Sequence, residues 1–155
     1  MTEPALPPVA PVRVVLDALA ARGAEAAVGG SGLLAALGLG SVVHDWDVTT
    51  EAPAEVVRSA LGDTGLTFRP DTVRDGPYAT RERFAVDEGP VDVLVGFAIR
   101  TATGVEALPT RVTGHWRGLP LADPAVWARA YRLLGRTAKA DLLDEWLRAN
   151  PDRAR

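Results

Sequence analysis

The sequence predicts an α/β (α+β) fold: a mixed sheet of about five strands with flanking helices, ending in a C-terminal helix pair. Three observations predict it. Val12, Val15, Leu16 and Leu19 recur at helical spacing near the start. Short valine-rich runs follow, bounded by glycine, proline and aspartate, the pattern of strands joined by turns. The C-terminal region regains helical spacing, first at Trp127, Ala130, Tyr131 and Leu134, then at Leu142, Leu143, Trp146 and Leu147.

Residues 1–11 hold Pro4, Pro7, Pro8 and Pro11 and are expected as a flexible tail, leaving 12–155 as a single domain. The first helix starts near Val12 and stops near Gly23. Residues 25–28 are short and apolar enough for the first strand, which ends at a glycine turn. Residues 32–39 follow as a short helix closed by Gly38 and Gly40, and residues 42–48 as a second strand. Thr49-Thr50-Glu51-Ala52-Pro53 reads as a helix start: threonine can cap, acid sits in the first turn, and proline is tolerated there. Val56, Val57, Ala60 and Leu61 give that helix its apolar face.

Residues 66–69 suit a strand, and 71–80, polar and carrying Gly76-Pro77, suit a loop. Apolar runs at 83–86 and 91–97 flank Asp87-Glu88-Gly89-Pro90, a hairpin signal. Residues 105–116 alternate loosely and are expected as one more strand. Asp123 is a natural N-cap and Pro124 a natural first-turn residue; Gly135 separates the two terminal helices and Pro151 ends the second.

A length of 155 residues suits one domain, and 47% hydrophobic with 24% charged residues can bury a core. The net charge of -3 argues against a nucleic-acid footprint spread over the surface. With 0 cysteines, disulfides and thiolate metal sites are excluded. No apolar run approaches the ~20 residues of a membrane span. The start lacks a basic region followed by an apolar core, so a cytoplasmic protein without membrane contact is expected.

The chemistry concentrates in Val28-Gly29-Gly30-Ser31-Gly32-Leu33-Leu34 and His44-Asp45-Trp46-Asp47-Val48. Strand periodicity puts Asp45 and Asp47 on one face and Trp46 on the other. Two carboxylates on one face raise each other's pKa unless a cation lies between them. Mg²⁺ suits that place, because it prefers oxygen ligands and is held by carboxylates and substrate phosphates. The glycine turn allows close backbone approach, and the helix start behind it presents N–H groups to an anion.

This arrangement resembles the nucleotidyltransferase superfamily, whose signature is a Gly-Gly or Gly-Ser turn, a short helix and Asp-x-Asp on a strand. The wording is most similar to the head domain of tRNA nucleotidyltransferases and poly(A) polymerases, and to small antibiotic nucleotidyltransferases. The resemblance implies catalytic and metal-binding roles for Asp45 and Asp47. It also implies a third carboxylate on a later strand, which Asp92 in Val91-Asp92-Val93-Leu94-Val95 matches. Gly29, Gly30 and Ser31 match the phosphate turn, and Arg83 and Lys139 are the basic residues expected at the nucleotide. The implied reaction moves a nucleoside monophosphate from an NTP substrate to a hydroxyl or phosphate acceptor, with one or two Mg²⁺ ions and release of pyrophosphate. Only about 30 residues follow the core, far below a typical domain, so no tRNA-binding body is expected. A small molecule or a protein is therefore the expected acceptor. Nucleic acid is not expected without a partner, and homo-oligomerisation would be one way to complete the acceptor pocket.

Two other readings compete. Gly30-Ser31-Gly32-Leu33-Leu34-Ala35 also fits the Gly-x-Gly-x-x-Ala turn of NAD-binding proteins. Alternatively, the fold serves as a catalytically silent partner or antitoxin protein, against which all three carboxylates speak.

Overall fold

A computed structural model describes residues 3–154. Helix α1 (Ala10–Ala21) leads into β1 (Ala26–Gly29), α2 (Gly30–Ala36), β2 (Trp46–Thr50) and α3 (Ala54–Asp63). Strands β3 (Phe68–Pro70), β4 (Glu82–Val86), β5 (Val91–Val95), β6 (Ala98–Thr101), β7 (Gly104–Ala107), β8 (Val112–Trp116) and β9 (Leu119–Ala122) follow. Helices α4 (Pro124–Leu133) and α5 (Thr137–Ala149) close the chain, with a 3₁₀ turn at Pro151–Ala154.

The main sheet is mixed and has 7 strands in the order β3-β4-β5-β2-β1-β9-β8; β6 and β7 form a separate 2-stranded hairpin. Its central pair, β2 and β5, is parallel, while β1 runs antiparallel to β2. Strand alternation gives each face its own apolar layer. Val28, Trp46, Val48, Phe84 and Val93 meet α1 and α3 on one face. Ala27, Leu94 and Leu121 meet Leu33, Trp127, Tyr131 and Leu143 on the other. Among the described residues, no helix is long and apolar enough to cross a membrane.

The strand count exceeds the expected five because residues 98–122 fold into four strands of four or five residues each. The loose alternation over 105–116 spans two of them, β7 and β8, interrupted at Pro109. Most of β7 is exposed, so it carries little apolar signal. The antiparallel β1–β2 pair removes the NAD-binding alternative: α2 connects antiparallel strands, whereas that motif needs a helix crossing between parallel ones.

Two local expectations are also corrected. Thr49 and Thr50 do not cap α3; both lie in β2 and are buried. The Thr50 hydroxyl donates to the Glu25 carbonyl (2.7 Å) and accepts from the Ala52 N–H (3.2 Å), so the helix starts later, after Pro53. The expected N-terminal tail is docked over its described residues. Ala5 pairs with the chain at Val42, donating to the Ser41 carbonyl and accepting from the Val43 N–H, each at 2.8 Å. Prolines remove donors and exclude mid-helix geometry, but they leave carbonyls and rings free to pack.

Candidate functional site

The site is built on the two parallel central strands. Asp47 of β2 stands in register with Asp92 of β5. Trp46, beside Asp47 in the chain, points through the opposite face, where it is fully buried and its indole N–H donates to the Pro8 carbonyl (3.2 Å). That buried root fixes the direction of its acidic neighbours. The strand begins at Trp46, not at residue 42 as expected, so Asp45 lies in the bend before it. Carboxylate oxygens of Asp45, Asp47 and Asp92 still lie within 4.8 Å of one another.

Three such groups cannot all ionise freely. Burial, followed by the charges of Asp45 and Asp92, pushes Asp47 up to about 7, with Arg83 and Arg136 opposing. Burial also raises Asp92, against the pull of Arg83. In both groups burial is the largest cause, and the neighbouring carboxylates add to it.

The carboxylates lie in a cleft of about 230 Å³. Strand β5 contributes Asp92 and Leu94, and β4 contributes Arg83. The segment between β3 and β4 contributes Val73, Tyr78 and Thr80. Helix α4 supplies Trp127 and Tyr131, with Leu134 and Arg136 following at its end. Trp127 stacks on Phe97 at 5.0 Å between ring centroids, and Tyr131 leans on Trp127 at 5.8 Å. Burial and the nearby Asp47 raise the Tyr131 phenol above its ordinary range. Helix α4 is placed by its cap, where Asp123 accepts from the Ala125 N–H (2.9 Å) ahead of Pro124.

The glycine turn is tight for a reason different from the expected one. A Cβ on Gly29 would fall 2.1 Å from the Trp127 ring, and one on Gly30 would fall 2.2 Å from Asp47 Oδ2. Gly30 also has φ +58°, a conformation that favours glycine. Protein atoms therefore occupy the space that a side chain would need at either glycine. Gly29 and Gly30 border Asp47, and neither they nor Ser31 line the cleft itself. Of the two expected basic residues, Arg83 lines the cleft. Lys139 does not; its ammonium lies 5.4 Å from the centre of the Tyr131 ring.

The aromatic wall was not found as part of a site from sequence. Trp127 and Tyr131 read there as a structural helix face, and both are indeed buried. The available signal was the polar atom each ring carries on an otherwise apolar face. Tyr78 and Phe97 gave no signal, because only the tertiary fold brings them to the cleft.

No protein-family model matches this sequence, and no curated protein matches it. Solved structures do. A candidate nucleotidyltransferase from Thermotoga maritima superposes with a TM-score of 0.64 at 22% identity, covering 92% of this chain and 93% of its own. The antibiotic-resistance factor ANT(2'')-Ia in solution gives a TM-score of 0.60 at 16% identity, over 94% of this chain and 86% of its own. Its crystal structure with adenylyl-2"-tobramycin gives 0.51 at 14% identity, over 95% and 98%. With a mixed sheet flanked by helices and this similarity along nearly its whole length, the chain has the fold of the nucleotidyltransferases.

Proposed function

We propose that this protein is a nucleotidyltransferase, moving a nucleoside monophosphate from an NTP to an acceptor and releasing pyrophosphate. The observation that carries the reading is the convergence of Asp45, Asp47 and Asp92 within 4.8 Å at the cleft. The donor set fits a hard divalent cation: it is all carboxylate oxygen, and Asp47 is pushed up to about 7 by burial and, after it, by the charges of Asp45 and Asp92. Asp45, Asp47 and Asp92 would hold Mg²⁺, which when bound supplies charge neutralisation to the transferring phosphoryl group.

The chain's own residues would do the rest. Backbone N–H groups of the Gly29-Gly30-Ser31 turn, with the Ser31 hydroxyl, bind phosphate oxygens, and Lys139 adds positive charge beyond Tyr131. Asp92 accepts the proton of the acceptor hydroxyl as its oxygen bonds to the α-phosphorus. The bond from that phosphorus to the β-phosphate oxygen breaks, and pyrophosphate leaves. The aromatic wall narrows the cleft and limits water near the reacting atoms. A small molecule is the preferred acceptor class, given the cleft volume of about 230 Å³. The test is a screen of NTPs against acceptors, with and without Mg²⁺, read as pyrophosphate release. Release that needs Mg²⁺ and an acceptor, and is lost in Asp45→Asn, supports the reading. Absence of Mg²⁺-dependent nucleotide binding overturns it.

A further inference from the structure

We propose a division of labour between the two arginines of the cleft: Arg83 is a positioning residue that holds Asp92, and Arg136 is the cation that meets the departing pyrophosphate. The assignment rests on the nucleotidyl-transfer reading and departs from the expectation that Arg83 itself contacts the nucleotide.

The two side chains share a cleft and differ in what binds them. Arg83 lies opposite Leu94 across the β4–β5 ladder, and Asp92 lies opposite Ala85. Arg83 and Asp92 are thus diagonal neighbours on one sheet face, a spacing that long side chains can bridge. Arg83 Nη2 lies 3.2 Å from Asp92 Oδ2, and Nε lies 3.9 Å from Asp71 Oδ2. The backbone is held as well. The Arg83 N–H donates to Thr72 Oγ1 (3.0 Å), and its carbonyl accepts from the Asp71 N–H (2.8 Å). Nε is buried and makes no hydrogen bond. The guanidinium is therefore clamped between two carboxylates. Swinging it to a triphosphate would leave Asp92, whose side chain is only 14% exposed, without its counter-charge. Held as it is, it engages one oxygen of Asp92 and leaves the other for a cation or a proton.

Arg136 is placed by different means. Gly135, with φ +75°, ends α4. Its N–H donates to the Arg132 carbonyl (3.1 Å), and the Arg136 N–H donates to the Tyr131 carbonyl (2.8 Å). This left-handed helix stop turns the chain back over the end of α4. Arg136 lines the same cleft as Arg83, is exposed, and among the described residues forms no ion pair. A fork of donors without a carboxylate partner suits a polyphosphate oxygen pair.

The test uses the full chain and Mg²⁺-tripolyphosphate, which carries the charges of an NTP without a base, titrated by calorimetry. Asp47→Asn serves as the control that binding is at this site. Arg136→Gln should weaken binding by at least ~10-fold, the loss of one charge-assisted contact, and Arg136→Lys should recover part of it. Arg83→Gln should change binding by less than ~3-fold. In pyrophosphate release it should lower kcat with little change in KM for the NTP, and Arg83→Lys should restore part of kcat. If Arg83→Gln does not fold, Arg83→Lys alone carries the comparison and should bind tripolyphosphate as the parent does. Equal loss of binding on replacing either arginine, or unchanged binding in Arg136→Gln, overturns the assignment. A parent that binds no Mg²⁺-tripolyphosphate overturns the nucleotidyl-transfer reading itself, before the arginines are compared.

Discussion

Asp47 rests its carboxylate against the bare Cα of Gly30: a Cβ there would stand 2.2 Å from Oδ2. The glycine is thus required by the acid as well as by its own φ of +58°. Gly30→Ala should cost about 1–3 kcal/mol, from left-handed strain and the displaced carboxylate. It should also weaken Mg²⁺ binding, because the displaced group is a proposed ligand. Thermal denaturation with and without Mg²⁺ checks both effects. A variant as stable as the parent would show that the turn relaxes freely.

Asp47 gives a pH signature. Its folded-state pKa, about 7, lies above the ordinary 3.8, so the folded chain holds the proton more tightly than the unfolded chain. The resulting stabilisation is complete below about pH 4 and is lost as pH rises through 7. Asp47→Asn removes that loss. Without metal, the variant should match the parent near pH 4 and exceed it by about 2–4 kcal/mol above pH 7. Added Mg²⁺ should stabilise the parent and leave the variant unchanged. Denaturant titrations across this pH range measure the difference.

The two tryptophans of the terminal helices should separate. Trp127 is 5% exposed, stacks on Phe97 and fills the space above Gly29. Trp127→Ala should cost about 3–5 kcal/mol. Trp146 is only half-buried, so Trp146→Ala should cost less, about 1–2 kcal/mol. Trp127→Ala should also alter ligand binding at the cleft, which Trp146→Ala should not. Urea unfolding and Mg²⁺-NTP titration of the two variants make the comparison.

Asp92 should separate binding from turnover. Asp92→Asn is expected to keep most Mg²⁺-NTP affinity and to lose pyrophosphate release, because the proposed role of its oxygen is to take the proton of the attacking group. Asp45→Asn and Asp47→Asn are expected to lose both. Nucleotide-induced stabilisation and product formation, measured on the same preparations, test the contrast.

What was legible in the sequence follows the range of each interaction. Trp46 beside Asp47 is a period-two signal, and the structure has an apolar root on one face and that acid on the other, while Asp45 lies in the bend before the strand. The Asp123-Pro124 cap and the Gly135 stop are equally local, and α4 begins and ends where they indicate. The partnership of Arg83 with Asp92 depends on the β4–β5 register, which a hairpin signal suggests without specifying the diagonal. The meeting of Gly29 with Trp127 joins distant parts of the chain through tertiary packing alone. The short strands β6 to β9 were merged or missed because four or five residues carry almost no periodic pattern.

The parallel pairing of β2 with β5 also has a consequence for how the protein matures. Neighbouring parallel strands cannot be joined by a tight turn, and here α3, β3 and β4 must be laid down between them. The β4–β5 hairpin can close early, since its ends are near in sequence. The pairing of Asp47 with Asp92 has to wait for a long loop to close, at an entropic cost that only the finished centre of the sheet offsets. A nascent chain emerging as far as Asp47 therefore carries two of the acids but no cleft. On the proposed metal reading, capacity for a divalent ion arises only once this pairing forms, and ion uptake during refolding would time the assembly of the sheet's centre.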